Sequence, residues 1–218
     1  MTDVLQQLSP SQIVLLRGKS FVRGWGKLEL PSGARVPSRA LGETLVEVAL
    51  LACISQGVLK LHVQPRKTLL GLRTVYALLA EPQGVPVPWP QPTLEAWLTH
   101  LAFQLRPEER HRVQSLVYVF LRENGPNPWR QIVTEVQGGL VAMGVLEQVE
   151  EQRLRGLRVV KRKQARVVES MANPVAHLST NHVQELLRSC RLQTPRFWRL
   201  LRKEVSRGIG YRRRVSER

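Results

Sequence analysis

The stretch Leu45-Val46-Glu47-Val48-Ala49-Leu50-Leu51-Ala52-Cys53-Ile54-Ser55-Gln56-Gly57-Val58-Leu59-Lys60-Leu61-His62-Val63 carries two hydrophobic periods in succession. From Gly42 to Gln56 apolar residues run nearly all the way round a helix, which predicts a buried central helix. Gly57 stops it, and Val58 to Val63 then alternate as a strand does until Pro65 breaks the pattern. The same plan returns downstream, where Val141-Ala142-Met143-Gly144-Val145-Leu146 again ends a helix at Gly-Val-Leu and turns into a strand. Helix, glycine and strand in that order are winged-helix-like. The expected fold is mainly α: a single helical domain with short β-hairpins and a basic C-terminal helix and tail. Such a plan fixes local structure and leaves function open.

Upstream, Ser9-Pro10 and Ile13-Val14-Leu15-Leu16 open a first helix or short buried segment. Gly18, Gly24, Gly26, Pro31, Gly33 and Pro37 then punctuate an irregular or hairpin-like region anchored by Trp25, Leu28 and Leu30. Residues 1–41 accordingly read as an irregular N-terminal segment. Downstream, residues 66–80 read as a strand or short helix, and the prolines from Pro82 to Pro92 as a stiff surface crossing. Thr93 caps a helix reaching Leu105, Pro107 starts another through Leu121, and Asn127-Pro128 launches the helix that runs to Met143. Residues 42–178 make the helical core, with a cationic hairpin near 153–168. Residues 179–218 supply basic amphipathic helices and a flexible tail. In the last helix, capped by Thr194-Pro195, one stripe holds Phe197, Trp198, Leu200, Leu201 and Val205, and the other Arg196, Arg199, Arg202, Lys203 and Arg207.

Charge is the strongest functional signal. Residues 1–152 carry 15 Lys and Arg against 13 Asp and Glu, and residues 153–218 carry 18 against 4, which puts +14 of the net +16 in the last third. A near-neutral body with a cationic end points to an extended anionic surface, either nucleic-acid phosphate or acidic lipid headgroups. The candidate anion-binding residues are Arg66, Lys67, Arg153, Arg155, Arg158, Lys161, Arg162, Lys163, Arg196, Arg199, Arg202, Lys203, Arg212, Arg213 and Arg214. Aromatic residues beside cations on a helix are the composition of an interfacial membrane helix, so Trp198 and Phe197 are candidate membrane anchors, with Trp89 and Trp129 as candidates at a partner surface.

Catalytic patterns fail their tests. Arg17-Gly18-Lys19-Ser20 lacks the leading glycine of a phosphate-binding loop, because Ile13 stands in its place. The five histidines are scattered singly, no carboxylates are paired as general acid and base, and Cys53 and Cys190 show no metal-ligand spacing. No enzyme activity, cofactor or metal is expected. The start of the chain has neither the basic nor the apolar run of a secretory signal, and no stretch approaches a membrane-spanning length. A place on the reducing, cytoplasmic side with peripheral membrane association follows.

Three features between about Leu45 and Val168 carry a family resemblance: the helix ending Ala52-Cys53-Ile54-Ser55-Gln56-Gly57-Val58-Leu59, the following Arg66-Lys67-Thr68-Leu69-Leu70, and Asn127-Pro128-Trp129 leading to Leu140-Val141-Ala142-Met143-Gly144-Val145-Leu146. In order and spacing they resemble the Golgi phosphoprotein 3-like family of mainly helical peripheral membrane proteins. That resemblance implies binding of acidic phosphoinositide headgroups through a tryptophan and several arginines, and contact with cytosolic tails of membrane enzymes. At the headgroup positions this chain departs from the pattern. Pro37 falls where the tryptophan would stand, Val46 at an arginine, and Glu135 with Thr134 or Val133 near the second arginine group.

The functional expectation is a non-enzymatic peripheral membrane protein that docks on an anionic membrane surface and serves as an adaptor or assembly factor for a membrane protein complex. Nucleic acid, as RNA or a ribosomal surface, is the competing ligand, and an acidic protein partner the third. Helix 128–143 offers only Arg130 as a reader of nucleic acid.

Overall fold

In the computed structural model the described residues are 2–67, 74–84, 89, 92–104, 112–121, 127–155 and 158–216, with only the backbone described for Thr2, Asp3, Arg66 and residues 151–155, 158–163 and 211–216. Two short helices, α1 (Thr2–Gln6) and α2 (Pro10–Leu16), precede a 3-10 turn at Gly18–Ser20 and a small ladder of β1 (Leu28–Glu29) and β2 (Arg35–Val36). The long helix α3 (Ser38–Ser55) leads into the antiparallel hairpin β3 (Leu59–Lys67) and β4 (Thr74–Pro82). Then come α4 (Leu94–Gln104), α5 (Val113–Phe120) and α6 (Pro128–Ala142), which leads into a second hairpin, β5 (Leu146–Arg155) and β6 (Arg158–Val167). Helices α7 (Glu169–Ala176), α8 (Asn181–Gln193) and α9 (Pro195–Ser216) complete the chain. The fold is mainly α with two-stranded sheets, as the sequence indicates.

Helix α3 is the centre because apolar residues run round most of it, leaving only a narrow polar stripe of Arg39, Glu43 and Glu47. Leu41, Leu45, Val46, Val48, Ala49, Leu50 and Cys53 are all fully buried, and α2, α4, α6, α8 and α9 pack around it. Its end and that of α6 are built alike. The Val58 N–H reaches back to the Cys53 carbonyl at 2.9 Å, as Val145 does to Leu140 at 3.0 Å, over Gly57 (φ +69°) and Gly144 (φ +71°). Only a left-handed residue lets the chain make that bond and leave as a strand. Each hairpin is closed at its base in the same way, Gln83 N–H to the Val58 carbonyl at 2.8 Å and Val168 N–H to the Val145 carbonyl at 3.1 Å. The winged-helix-like plan read twice in the sequence is present twice in the fold.

Helix starts follow the capping residues where the sequence offers them. Thr93 Oγ1 accepts from the Ala96 N–H and Asn127 Oδ1 from the Arg130 N–H, both at 3.1 Å. Thr194 does something else: its hydroxyl donates to the Cys190 carbonyl at 3.0 Å, closing the end of α8 rather than the start of α9. Prolines 86, 88 and 90 and the helix start read at Pro107 lie outside the described residues.

Residues 1–41 contribute Ile13, Val14, Leu15, Leu16, Leu30 and Val36 to the core, and α2 lies against both α3 and α6. One further reading changes. The segment expected as a flexible cationic tail continues α9 to Ser216. Gly208 has the look of a break in sequence. In the fold its missing side chain lets α9 close against Gln114 and Val117 of α5, with Ile209 fully buried beside it.

Candidate functional site

Helix α9 buries Trp198, Leu201, Val205 and Ile209 and exposes Arg196, Arg199, Arg202, Lys203 and Arg207. The apolar stripe is therefore core, and Trp198, only 8% exposed, is not a membrane anchor. Its position between α8 and α9 is fixed by packing. Phe197 is half-buried and remains at the surface. The cations are placed against the helix's own interest: Arg196 and Arg199 crowd its N-terminal turns, where the macrodipole is positive and no acidic residue offsets it. Arg202 Nε lies 3.4 Å from Glu47, Arg207 Nη1 lies 3.6 Å from Glu204, and Arg199 donates to the Pro195 carbonyl at 3.3 Å. Arg196 and Lys203 have no carboxylate partner among the described residues.

These cations border two clefts on opposite flanks of α9. The outer cleft, about 690 Å³, lies between α9 and the β3–β4 hairpin and is lined by Val63, Tyr76, Phe197 and Leu200 with Arg196, Arg199 and Lys203. Val63 and Tyr76 are 49% and 56% exposed, so an apolar strip ringed by positive charge faces solvent. Lys67, exposed on β3, extends the charge along the hairpin, opposite Thr74 in the ladder. A smaller cleft, about 390 Å³, continues from Phe197 along Ile54, Leu59, Lys60 and Leu61.

The inner cleft, about 430 Å³, is formed where α3, α8, α9 and the chain after the 3-10 turn meet. Arg23, Arg191 and Arg202 line it with Glu43, Glu47 and Trp198. The guanidinium carbons of Arg191 and Arg202 sit 5.0 and 6.0 Å from the Trp198 ring centre. Burial raises the Glu47 carboxyl from 4.5 to about 7, an effect that the nearby Arg202 only partly offsets. Glu43 is engaged by Arg39 at 3.1 Å.

The remaining candidates are dispersed. Arg66 lies on β3, opposite Val75 in the ladder; Arg153, Arg155, Arg158, Lys161, Arg162 and Lys163 lie on the β5–β6 hairpin, and Arg212, Arg213 and Arg214 on the last turns of α9; the side chains of all these lie outside the described residues. The hairpin register sets Glu150 opposite Lys163 and Glu151 opposite Arg162. Trp129 packs on Gly42 of α3 with Arg39 at 6.0 Å from its ring, and Trp89 is half-buried with an enclosed indole nitrogen; neither is an exposed anchor. Trp25, read from the sequence as an apolar anchor of the hairpin-like region beside Leu28 and Leu30, does not pack on the core as they do. It is 75% exposed, on the loop between Arg23 and Lys27, both also exposed. The signal was the pattern Arg23-Gly24-Trp25-Gly26-Lys27, a bulky ring at a turn with no apolar neighbour to bury it.

Among the described residues no three His, Cys, Asp or Glu side chains gather as a metal site, and no helix is long and apolar enough to cross a membrane. The Cys53 thiol is buried and pushed up to about 12 by desolvation, the state of an inert core thiol. No protein-family model, characterised protein or solved structure matches this chain.

Proposed function

We propose that this chain is a non-enzymatic peripheral membrane protein that binds anionic lipid headgroups and acts as an adaptor or assembly factor for membrane proteins. The observation that carries this reading is the outer cleft, where solvent-exposed Val63 and Tyr76 lie beside Arg196, Arg199 and Lys203. An acidic bilayer offers both complements at one depth: headgroup phosphates for the guanidinium groups and the acyl boundary for the rings. Trp25 with Lys27 repeats that chemistry on a loop. The adaptor role is the one that the sequence resemblance to Golgi phosphoprotein 3-like proteins suggests.

The geometry weighs against groove reading of a duplex by the winged-helix-like units. Helix α3 carries Arg39 as its one cation, and the exposed face of α6 presents Arg130, Thr134, Gly138 and Ala142, with one cation among them. The test is co-sedimentation with neutral and acidic vesicles beside a gel shift with mixed RNA and DNA. Binding to acidic vesicles is expected to fall at least tenfold in the triple variant Arg196→Glu, Arg199→Glu, Lys203→Glu, at about 1 kcal/mol per cation lost. Unchanged vesicle binding in the variant would remove the outer cleft from the docking face, and nucleic-acid binding that outcompetes vesicles would replace this reading with the RNA one.

A further inference from the structure

We propose that the inner cleft is a binding site for a tetrahedral dianion of the phosphate-monoester type, held by Arg23, Arg191 and Arg202 and taken up together with a proton. It stands apart from the membrane reading, because it uses the flank of α9 opposite Arg196, Arg199 and Lys203.

Three arginines from separate parts of the chain converge there: Arg23 from the loop after the 3-10 turn, Arg191 from α8 and Arg202 from α9. Arg23 and Arg191 have no carboxylate within ion-pair distance among the described residues. Trp198 holds Arg191 and Arg202 against its ring. A guanidinium stacked on a ring keeps its edge N–H groups free for an oxyanion, the geometry in which arginine binds phosphate bidentately. At about 430 Å³ the cleft has room for a phosphate group and part of what it is attached to.

Charge matching supports a dianion. The charged groups lining the cleft are Glu43 and Glu47 on α3, Arg191 on α8, Arg202 on α9 and Arg23 on the loop, with Arg39 of α3 paired to Glu43 from beside it. Four cations against two acids leave two positive charges, and three once Glu47 is neutral. Glu47 holds Arg202 through one contact of 3.4 Å, long for a charge-assisted bond, so an incoming oxyanion competes with it directly. Once Arg202 turns to the ligand, Glu47 is left buried without its partner, and the neutral form becomes the stable one. Burial, with Arg202 and Arg191 opposing it, already raises its carboxyl to about 7. Binding of the anion and of the proton are therefore coupled in the same direction.

The experiment is isothermal titration calorimetry of the full chain with sulfate, whose charge is constant over the range, and with inorganic phosphate. Saturable binding of one ion is expected, weakened at least about tenfold by Arg191→Ala and by Arg23→Ala and by less than about threefold by Arg196→Glu. Sulfate should bind several-fold more tightly at about pH 6 than at about pH 8, with proton uptake from buffer, and Glu47→Gln should bind at both pH values alike. No saturable binding, no effect of Arg191→Ala, or a pH dependence that survives in Glu47→Gln overturns the proposal. Vesicles containing phosphatidic acid or phosphatidylglycerol then separate the sources. Displacement by free phosphate from the former alone identifies a lipid monoester as the ligand. Phosphate binding without displacement identifies a soluble phosphate ester. The outer-cleft triple variant weakens attachment to both vesicle types and leaves the calorimetry intact, so the two readings fail separately.

Discussion

Both carboxyl oxygens of Glu95 accept hydrogen bonds from Ser11, Oε1 from the backbone N–H and Oε2 from the hydroxyl, each at 2.8 Å. Ser11 lies in the first turn of α2, where the backbone N–H has no intrahelical acceptor, and Glu95 lies in the first turn of α4. One fully buried side chain thus ties the start of one helix to the start of another. Desolvation pushes its carboxyl above the usual range despite these bonds. Glu95→Ala leaves the buried Ser11 N–H without an acceptor and its hydroxyl with only Ser9 Oγ at 3.2 Å, and should cost about 2–4 kcal/mol in urea unfolding. Glu95→Gln keeps the acceptor for the N–H and should cost distinctly less; equal losses would show that packing, not hydrogen bonding, is what Glu95 supplies.

Gly138 and Gly139 are neighbours in α6 with opposite constraints. A Cβ on Gly139 would meet the Pro92 carbonyl oxygen at 2.1 Å, whereas one on Gly138 would meet nothing within 4 Å. Alanine is the better helix former at both positions. Gly138→Ala should therefore stabilise the protein by up to about 1 kcal/mol, and Gly139→Ala should destabilise it by about 1–3 kcal/mol through the forced shift of α6 against Pro92. Thermal melts of the two variants decide it, since a Gly139→Ala protein as stable as wild type is incompatible with this contact.

What could be read from sequence was whatever a short window determines. The change from helical to alternating period at Gly57 and Gly144 marks both helix–hairpin units, and Thr93 and Asn127 mark their helices by local hydrogen bonds. What depends on distant partners could not be read that way. Gly208 signals a break locally and serves a close contact with Gln114 and Val117, about which the residues around Gly208 say nothing. Trp198 on an amphipathic stripe fits a bilayer or a core equally well, and only the position of α8 resolves which. The inner cleft was invisible because Arg23 is brought to Arg191 and Arg202 by the tertiary fold alone.

Glu47 gives stability a defined pH dependence. Its carboxyl is raised in the folded state from 4.5 to about 7, so the native protein binds more protons than the unfolded chain between those values. Stability is then greatest below the unfolded value and falls as pH rises through the window, reaching its full loss above about 7. The shift corresponds to roughly 3 kcal/mol. Glu47→Gln should be more stable than wild type at about pH 8 by about 1–3 kcal/mol, less whatever the Arg202 pair contributes, with the difference vanishing toward about pH 4. Denaturant midpoints across that range test it; a wild-type curve parallel to that of the variant would place the titration elsewhere.

Trp25 and Trp198 separate anchoring from folding. Trp25 is 75% exposed and Trp198 8%, yet both stand near arginines, and the sequence offers Trp198 as a candidate anchor and Trp25 as a buried one. Truncating Trp198 removes a packed ring and the surface on which Arg191 and Arg202 lie, so Trp198→Ala should lose about 3 kcal/mol of stability. Trp25→Ala removes no packed contact and should change stability by less than about 0.5 kcal/mol. Its effect belongs to the membrane. An indole entering the headgroup boundary contributes through its buried area, so Trp25→Ala should weaken binding to acidic vesicles several-fold, while Trp25→Phe retains most of it. Brominated lipids should quench part of the wild-type tryptophan fluorescence, and that part should disappear in Trp25→Phe. If quenching persists unchanged in Trp25→Phe, another ring enters the bilayer, and the loop that carries Trp25 is no part of the docking face.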